Sequence, residues 1–155
     1  MTAAAWLRLI VPVLALALPL ATAQAIELDR AAVIYQLPDQ IKWKDTGSGA
    51  MNAVLMGDPA KPGPYIVKVK WLPGNFSRPH FHPNDRFITV LKGTWWVGTG
   101  TKFDISQTAP MPAGSFVTHF GKQIHWDGAK DEEAVLLITG EGPATSTRVP
   151  FEEAK

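Results

Sequence analysis

The sequence predicts an all-β domain, built as a sandwich or a barrel of short strands. Thirteen glycines and thirteen prolines divide the 155 residues into short pieces, and no segment keeps a helical periodicity over three turns. The strand pattern is much stronger. In "YIVKVKWL" (residues 65–72) apolar and basic residues alternate, as they do in a strand buried on one face. Several short strands at regular spacing are typical of antiparallel sandwiches and barrels.

Four more segments are predicted to be strands. Each is rich in β-branched or aromatic residues, and they are "RFITVLKG" (86–93), "TWWVGTG" (94–100), "SFVTHF" (115–120) and "AVLLITG" (134–140). Trp95 and Trp96 are adjacent in one of them, so their side chains should point to opposite faces. We expect one tryptophan to face the interior and the other to pack outside.

The first 25 residues have the layout of a secretory signal peptide. One positive charge, Arg8, precedes an uncharged run from Leu9 to Ala23, and small residues then fit a cleavage site after Ala25. A retained membrane anchor is the alternative, but the run is shorter than the roughly 20 residues that a spanning helix needs. We therefore expect residues 1–25 to be removed, and residues 26–155 to form one domain in the periplasm or outside the cell.

The charge and cysteine content limit the partners. Removing residues 1–25 also removes Arg8 and lowers the formal net charge from +1 to 0. A neutral chain without a block of lysines or arginines disfavours nucleic acid and anionic membranes as partners. The chain contains no cysteine, so an exported form cannot be held together by disulfides. Its stability must come from the core, or from a bound metal.

Two histidines in "HFHPND" (residues 80–85) are candidates for a metal site. Side chains alternate along a strand, so His80 and His82 should project to the same face and form half of a ligand set. The other two histidines of the chain, His119 and His125, follow the "PMPAGS" turn and can complete the set. The alternative is a pair of hydrogen-bonded surface histidines at a strand end.

The spacing around these histidines resembles the two motifs of the cupin family. The first motif is a glycine, five residues, H-x-H, three or four residues, a glutamate, six residues and a glycine. Here it runs from Gly74 through His80 and His82 to Gly93, with Arg86 where the family has glutamate. The second motif is looser: Gly114 is followed by His119 in the position of the family's proline, by Gly121 and by the motif histidine, His125, without the closing asparagine.

The resemblance extends over about Ile41 to Pro143 and is greatest to small ChrR-type bacterial cupins. It implies a double-stranded β-helix, or jelly-roll barrel. It also implies that His80, His82 and His125 converge on a divalent metal, which in this family is usually iron, manganese, zinc or nickel. His119 is the second choice as a ligand, and we expect it to be packed in a strand instead. Asp85 could reach the metal only if the turn before it shifted the strand register.

Arg86 determines which chemistry the site supports, because a guanidinium cannot bind metal and opposes a nearby cation. Three arrangements are open. It can turn out of the pocket and leave a three-histidine site with open coordination positions. It can point inward and clamp a substrate carboxylate beside the metal. Alternatively, the metal is lost and the barrel binds an acidic small molecule directly.

The interpretation we favour is a metal-dependent dioxygenase acting on a small anionic organic substrate, which Arg86 orients for catalysis. Neither motif supplies a general-base carboxylate, so isomerase or lyase chemistry is disfavoured. The alternative function is a non-catalytic periplasmic sensor or carrier that binds a metal or a small acid. Barrels of this kind commonly dimerise through an edge sheet, so we expect a homodimer.

Overall fold

The computed structural model describes residues 26–154. The predicted signal peptide, residues 1–25, lies outside the described residues, as does Lys155. Residues 26–35 belong to a different unit from residues 36–154 and contain one turn at residues 30–32. No helix within residues 26–154 combines the length and the apolar character needed to cross a membrane.

Short strands dominate the second unit, residues 36–154. They are β1 (Lys44–Asp45), β2 (Ala50–Met56), β3 (Gly63–Trp71), β4 (Asn75–Phe76), β5 (His80–Phe81), β6 (Arg86–Lys92), β7 (Thr94–Thr99), β8 (Lys102–Phe103), β9 (Ala109–Pro112), β10 (Phe116–His119), β11 (His125–Ala129), β12 (Ala134–Gly142), β13 (Thr147–Arg148) and β14 (Glu152–Glu153). Two single-turn 3-10 helices span Pro38–Gln40 and Ile105–Gln107. The all-β prediction is therefore confirmed.

Two antiparallel sheets form the body of the domain. The first has the strand order β1-β2-β3-β12-β6-β10. The second has the order β13-β5-β11-β7-β9, and β4 pairs with β11 beside this path. A short parallel pair, β14 and β8, lies apart from both. Strands distant in sequence are neighbours in each sheet, and this brings the two histidine-bearing regions together.

The core is made by the alternating residues that the predicted strands turn inward. Along β6, Ile88 and Val90 are buried, and Leu136 and Ile138 occupy the same positions along β12. The intervening residues of both strands are at least partly exposed. Such alternation places apolar side chains on one face of a sheet, where their burial stabilises the fold by about 1.5–3 kcal/mol each.

Trp95 and Trp96 behave as their adjacency predicts. Trp95 is fully buried in the core. Trp96 is partly exposed, with the ammonium group of Lys130 3.6 Å from the centre of its ring.

Gly93 connects β6 of the first sheet to β7 of the second. Its φ of +70° lies in the left-handed region, and a Cβ at this position would approach the carbonyl oxygen of Glu133 to 2.1 Å. Only glycine fits such a corner without strain. The glycine that follows Arg86 at the motif spacing is therefore required by the turn between the two sheets.

Candidate metal centre and its cavity

Strand pairing in the second sheet brings the predicted metal ligands together. His80 on β5 lies directly opposite His125 on β11 in the antiparallel register. Directly opposed residues of an antiparallel pair project to the same face. His82 follows two residues after His80, and its side chain joins the other two. All three histidines are buried, with 8%, 7% and 4% of His80, His82 and His125 exposed.

The three side chains each offer one ring nitrogen to a common point. These three nitrogens lie within 4.8 Å of one another. The Nε2 atoms of His80 and His82 are 3.2 Å apart, and the ring of His125 lies 4.5 Å from that of His80 and 5.3 Å from that of His82, between centroids. His119 and Asp85 are not members of the group.

Backbone carbonyls fix the orientation of all three rings. The Nδ1 atom of His80 lies 2.8 Å from the carbonyl oxygen of Arg78. The Nδ1 atom of His82 lies 2.8 Å from the carbonyl oxygen of Thr145. The Nδ1 atom of His125 lies 3.1 Å from the carbonyl oxygen of Gln123. A carbonyl only accepts, so each Nδ1 carries the proton and donates it. Each Nε2 is left unprotonated, with a lone pair that can accept a hydrogen bond or bind a metal, which is the arrangement that metal-binding histidines use.

The neutral form of these rings is favoured by burial. Burial and, after it, the positive charge of Arg86 together lower the pKa of His82 to about 3. Burial also lowers the pKa of His125 to about 4, against the opposing effect of the Asp127 carboxylate. Both rings are therefore neutral at physiological pH, as metal ligation requires.

Arg86 points into the cavity and contacts the cluster. It lies on β6 in step with the inward-facing Ile88 and Val90, and its Nη1 donates a hydrogen bond to Nε2 of His82. Its Nε is buried and has no hydrogen-bond partner among residues 26–154. This direction excludes the outward one of the three arrangements open to Arg86. The charge of Arg86 also lowers the pKa of the neighbouring Tyr65 hydroxyl, but burial outweighs it and raises that pKa.

His119 stacks on the cluster from one side. Its ring lies 3.8 Å from that of His125 and 5.3 Å from that of Trp95, between centroids. Neither ring nitrogen has a hydrogen-bond partner in the described part of the chain, and burial lowers the pKa of His119 to about 3. The packing agrees with the expected role of a strand histidine outside the ligand set.

The side chain of Asp85 stabilises a loop and does not belong to the histidine cluster. Its Oδ1 accepts a hydrogen bond of 2.7 Å from the backbone N–H of Gly121. The carboxylate thereby ties the turn before β6 to the loop between β10 and β11.

Sequence reasoning missed one carboxylate of the cavity, Asp127. It lies two residues after His125 on β11, so strand alternation could have placed it on the same face. Its Oδ1 accepts a hydrogen bond of 2.8 Å from the hydroxyl of Ser77, and its own N–H donates to that hydroxyl oxygen at 2.9 Å. Burial raises the pKa of Asp127, but the electrostatic interactions with the neighbouring rings of His119, His125 and His80 and the hydrogen bond from Ser77 outweigh burial and lower it.

A small cavity of about 250 Å³ is bordered by His80, His82, Arg86 and Asp127. Its apolar lining residues all lie on β2, β3 and β12 of the first sheet. The lining residues are Thr46, Ser48, Ala50, Asn52, Val69, Trp71, Ser77, His80, His82, Arg86, Asp127, Leu136, Ile138 and Ser146. An enclosure of this size suits a ligand of few heavy atoms.

The donor set fits a divalent transition metal. Two lone pairs facing each other at 3.2 Å, as those of His80 and His82 do, repel unless a cation or a proton lies between them. The Nε2 of His125 is buried without a hydrogen-bond partner among the described residues, which costs free energy unless a ligand satisfies it. Three neutral imidazoles suit zinc, copper, iron or nickel and disfavour magnesium or calcium. Arg86 is the feature that opposes a metal.

Comparison with known proteins supports the fold. No protein-family model matches the chain, and no curated protein matches its sequence. Solved structures do match: the polyketide cyclase RemF from Streptomyces resistomycificus has a TM-score of 0.64 at 14% identity, with 76% of this chain and 85% of that chain covered. A cupin-2 domain protein from Rhodospirillum rubrum has a TM-score of 0.57 at 18% identity, with 77% and 81% covered.

A third similar structure is the complex of Rhodobacter sphaeroides SigE with the anti-sigma ChrR. Its TM-score is 0.52 at 15% identity, with 68% of this chain and 51% of that chain covered. At these identities the similarity concerns the fold alone. The double-stranded β-helix fold that the sequence motifs implied is therefore confirmed.

Proposed function

We propose, from the cupin fold of this chain, that it binds one divalent transition metal through His80, His82 and His125 and acts on a small organic anion. The observation that carries this proposal is the set of three buried rings, each with Nδ1 bonded to a backbone carbonyl and Nε2 turned to a common point. This pattern fixes the orientation of the three rings before a ligand arrives, so that metal binding does not carry the entropic cost of ordering them.

Arg86 is the group that we assign to the anion. Its guanidinium lines the cavity and its buried Nε lacks a partner among residues 26–154. A carboxylate can accept from two nitrogens of one guanidinium in a bidentate arrangement. An arriving carboxylate would therefore satisfy the free Nε and draw Arg86 away from His82. Binding of the anion would then raise the affinity for the metal, and binding of the metal would raise the affinity for the anion.

The reaction that we favour is the dioxygenation of that anion. When bound, the metal would supply Lewis acidity and, if it is iron, redox chemistry with dioxygen at positions that the three histidines leave open. Val69, Leu136 and Ile138 give the cavity an apolar wall on the first sheet. Arg86 orients the substrate.

Asp127 favours a second reaction class, proton transfer without dioxygen. Asp127 is a buried carboxylate of the cavity; its lowered pKa keeps it ionised and available to accept a proton, although it makes the group a weak base. The similar structure RemF is described as a polyketide cyclase, which supports a non-oxidative candidate. The disfavoured lyase and isomerase classes are therefore again candidates. The non-catalytic carrier or sensor remains the alternative without turnover.

Metal analysis followed by oxygen uptake separates these candidates. Purified protein would be assayed for bound metal, then supplied with small aromatic and dicarbonyl acids in an oxygen electrode, with Asp127→Asn as a second sample. Iron with substrate-dependent oxygen uptake supports the dioxygenase. Product formed without oxygen uptake, and lost in Asp127→Asn, supports proton transfer. Bound zinc without turnover supports the carrier, and protein that binds no divalent metal contradicts the proposal.

The cellular location and the assembly are also proposals. We propose export with removal of residues 1–25, for which mass spectrometry of periplasmic protein should find an N-terminus at or close to Ile26. We propose a homodimer through the first sheet, whose outer face carries the stacked rings of Phe87 and Phe116, 44% and 67% exposed. Sedimentation of the wild-type protein and of Phe116→Ser tests it, since only the variant should sediment as a monomer.

A further inference from the structure

A second cavity adjoins the metal centre. It has a volume of about 300 Å³ and shares five lining residues with the first, namely Ser48, Trp71, Ser77, His80 and Ser146. The remaining residues that line it are Phe76, Arg78 and Arg148. The second cavity therefore places two further arginines beside His80.

Of the two arginines that line this cavity, Arg148 is the one without a salt bridge among residues 26–154. It lies on β13, where the register places it directly opposite His80 on β5, so both side chains project to one face. None of the four salt bridges within residues 26–154 involves Arg148. Arg78 differs, because its guanidinium lies 3.2 Å from the carboxylate of Glu153 and 4.2 Å from the centre of the Phe103 ring.

The charges of the residues that line the two cavities favour a ligand with more than one negative group. No acidic residue of the described chain lines the second cavity, and the first is lined by one carboxylate, Asp127, and one guanidinium, Arg86. The charge of Arg148 and that of the proposed divalent metal then have no counterpart in the lining residues. Ser48 and Ser146, which border both cavities, add hydroxyl donors along the path between the two arginines.

We propose that the substrate is a short dianion, with one anionic group on Arg86 and the second on Arg148. The two arginines lie in adjoining cavities that share His80, so a single short molecule can contact both and lie beside the metal site. This inference rests on the proposed function because it uses the same centre. It narrows the substrate class from small organic anions to small dicarboxylates and compounds of equivalent charge.

The experiment compares diacids with monoacids of the same chain length. Malonate, succinate, glutarate and adipate, together with propanoate, butanoate, pentanoate and hexanoate, would be titrated calorimetrically into zinc-loaded and metal-free protein. We expect at least one diacid to bind about fivefold more tightly than its monoacid, equivalent to about 1 kcal/mol for a partly exposed charge pair. Arg148→Ala should abolish that preference, and Arg148→Glu should reverse it.

Arg30→Ala is the matched control, since Arg30 is exposed and lines neither cavity. It should keep the wild-type preference. Equal affinity for diacids and monoacids at every length, or a preference that survives in Arg148→Ala, overturns the assignment. If wild-type protein fails to bind zinc but metal-free protein keeps an Arg148-dependent preference, the proposed metal function fails and the dianion site stands. If the protein binds zinc but shows no diacid preference, the metal centre stands and the dianion site fails.

Discussion

The guanidinium of Arg86 donates a hydrogen bond to Nε2 of His82, the nitrogen that this ring would offer to a metal. One cation therefore already lies beside the point where a second one would bind. Two like charges at about 4 Å repel by about 4 kcal/mol at the effective dielectric constant of a protein surface. Metal binding requires Arg86 to withdraw, and an anion that pairs with Arg86 makes this easier.

Replacing Arg86 should tighten metal binding. Arg86→Ala frees Nε2 of His82 and removes the repulsion, so zinc affinity should rise at least about tenfold, or about 1.4 kcal/mol. Arg86→Glu should raise it further, because it supplies a carboxylate ligand. Arg86→Lys keeps the charge and serves as the control, with an affinity near that of the wild type. Calorimetric titration of the metal-free proteins measures this. Equal affinities in all four would contradict the assigned role of Arg86.

The stacked pair His119 and His125 allows a matched test of the ligand set. Phenylalanine preserves ring packing but offers no nitrogen, so His125→Phe should lose metal while His119→Phe retains it. Bound zinc per chain, measured after dialysis against zinc-containing buffer, distinguishes the two. Metal lost from His119→Phe and kept by His125→Phe would mean that the ligand assignment in the second motif is wrong.

The lowered histidine pKa values predict acid sensitivity of the metal-free protein. Between about pH 6.5 and pH 4 the unfolded chain takes up protons at His82, His119 and His125, whereas the folded chain does not. The free energy of unfolding should therefore fall as the pH falls, by up to about 1.4 kcal/mol per pH unit for each histidine. Urea unfolding at several pH values between about 6.5 and 5 measures the slope. His119→Phe should reduce the slope of the unfolding free energy against pH by the contribution of about one proton. An unchanged slope would argue against a neutral buried His119.

Leu136 tests the core that supports the cluster. Leu136 is fully buried on β12, so Leu136→Ala should lower the free energy of unfolding by about 2–5 kcal/mol. Leu91 lies on the exposed side of β6 with 44% of its surface accessible, and Leu91→Ala should cost about 0.5 kcal/mol or less. Similar losses in the two variants, measured by denaturant unfolding, would mean that the inward and outward faces are assigned wrongly.

Local patterns predicted much of the fold and half of the site. Alternation along "YIVKVKWL" identifies β3, and parity places His80 and His82 on one face, because both depend only on neighbours in the chain. His80 and His125 face each other across two strands that are distant in sequence, and no local pattern predicts that pairing. Only the family resemblance suggested it. Asp127 was missed although alternation along β11 places it on the same face as His125; only its partner Ser77, 50 residues away, could not be read from the local sequence. The direction of Arg86 stayed open because it depends on how β6 packs against the second sheet.

X-ray absorption at the zinc edge of zinc-loaded protein tests the three-histidine centre most directly, because it reports the ligands of the bound ion themselves. Zinc–nitrogen distances of about 2.0–2.1 Å are expected for imidazole ligands. The predicted spectrum shows three imidazoles in wild-type protein and fewer than three in the His80→Ala, His82→Ala and His125→Ala variants. A wild-type spectrum without the outer-shell scattering of imidazole, or one unchanged by all three substitutions, would contradict a metal centre built from these histidines.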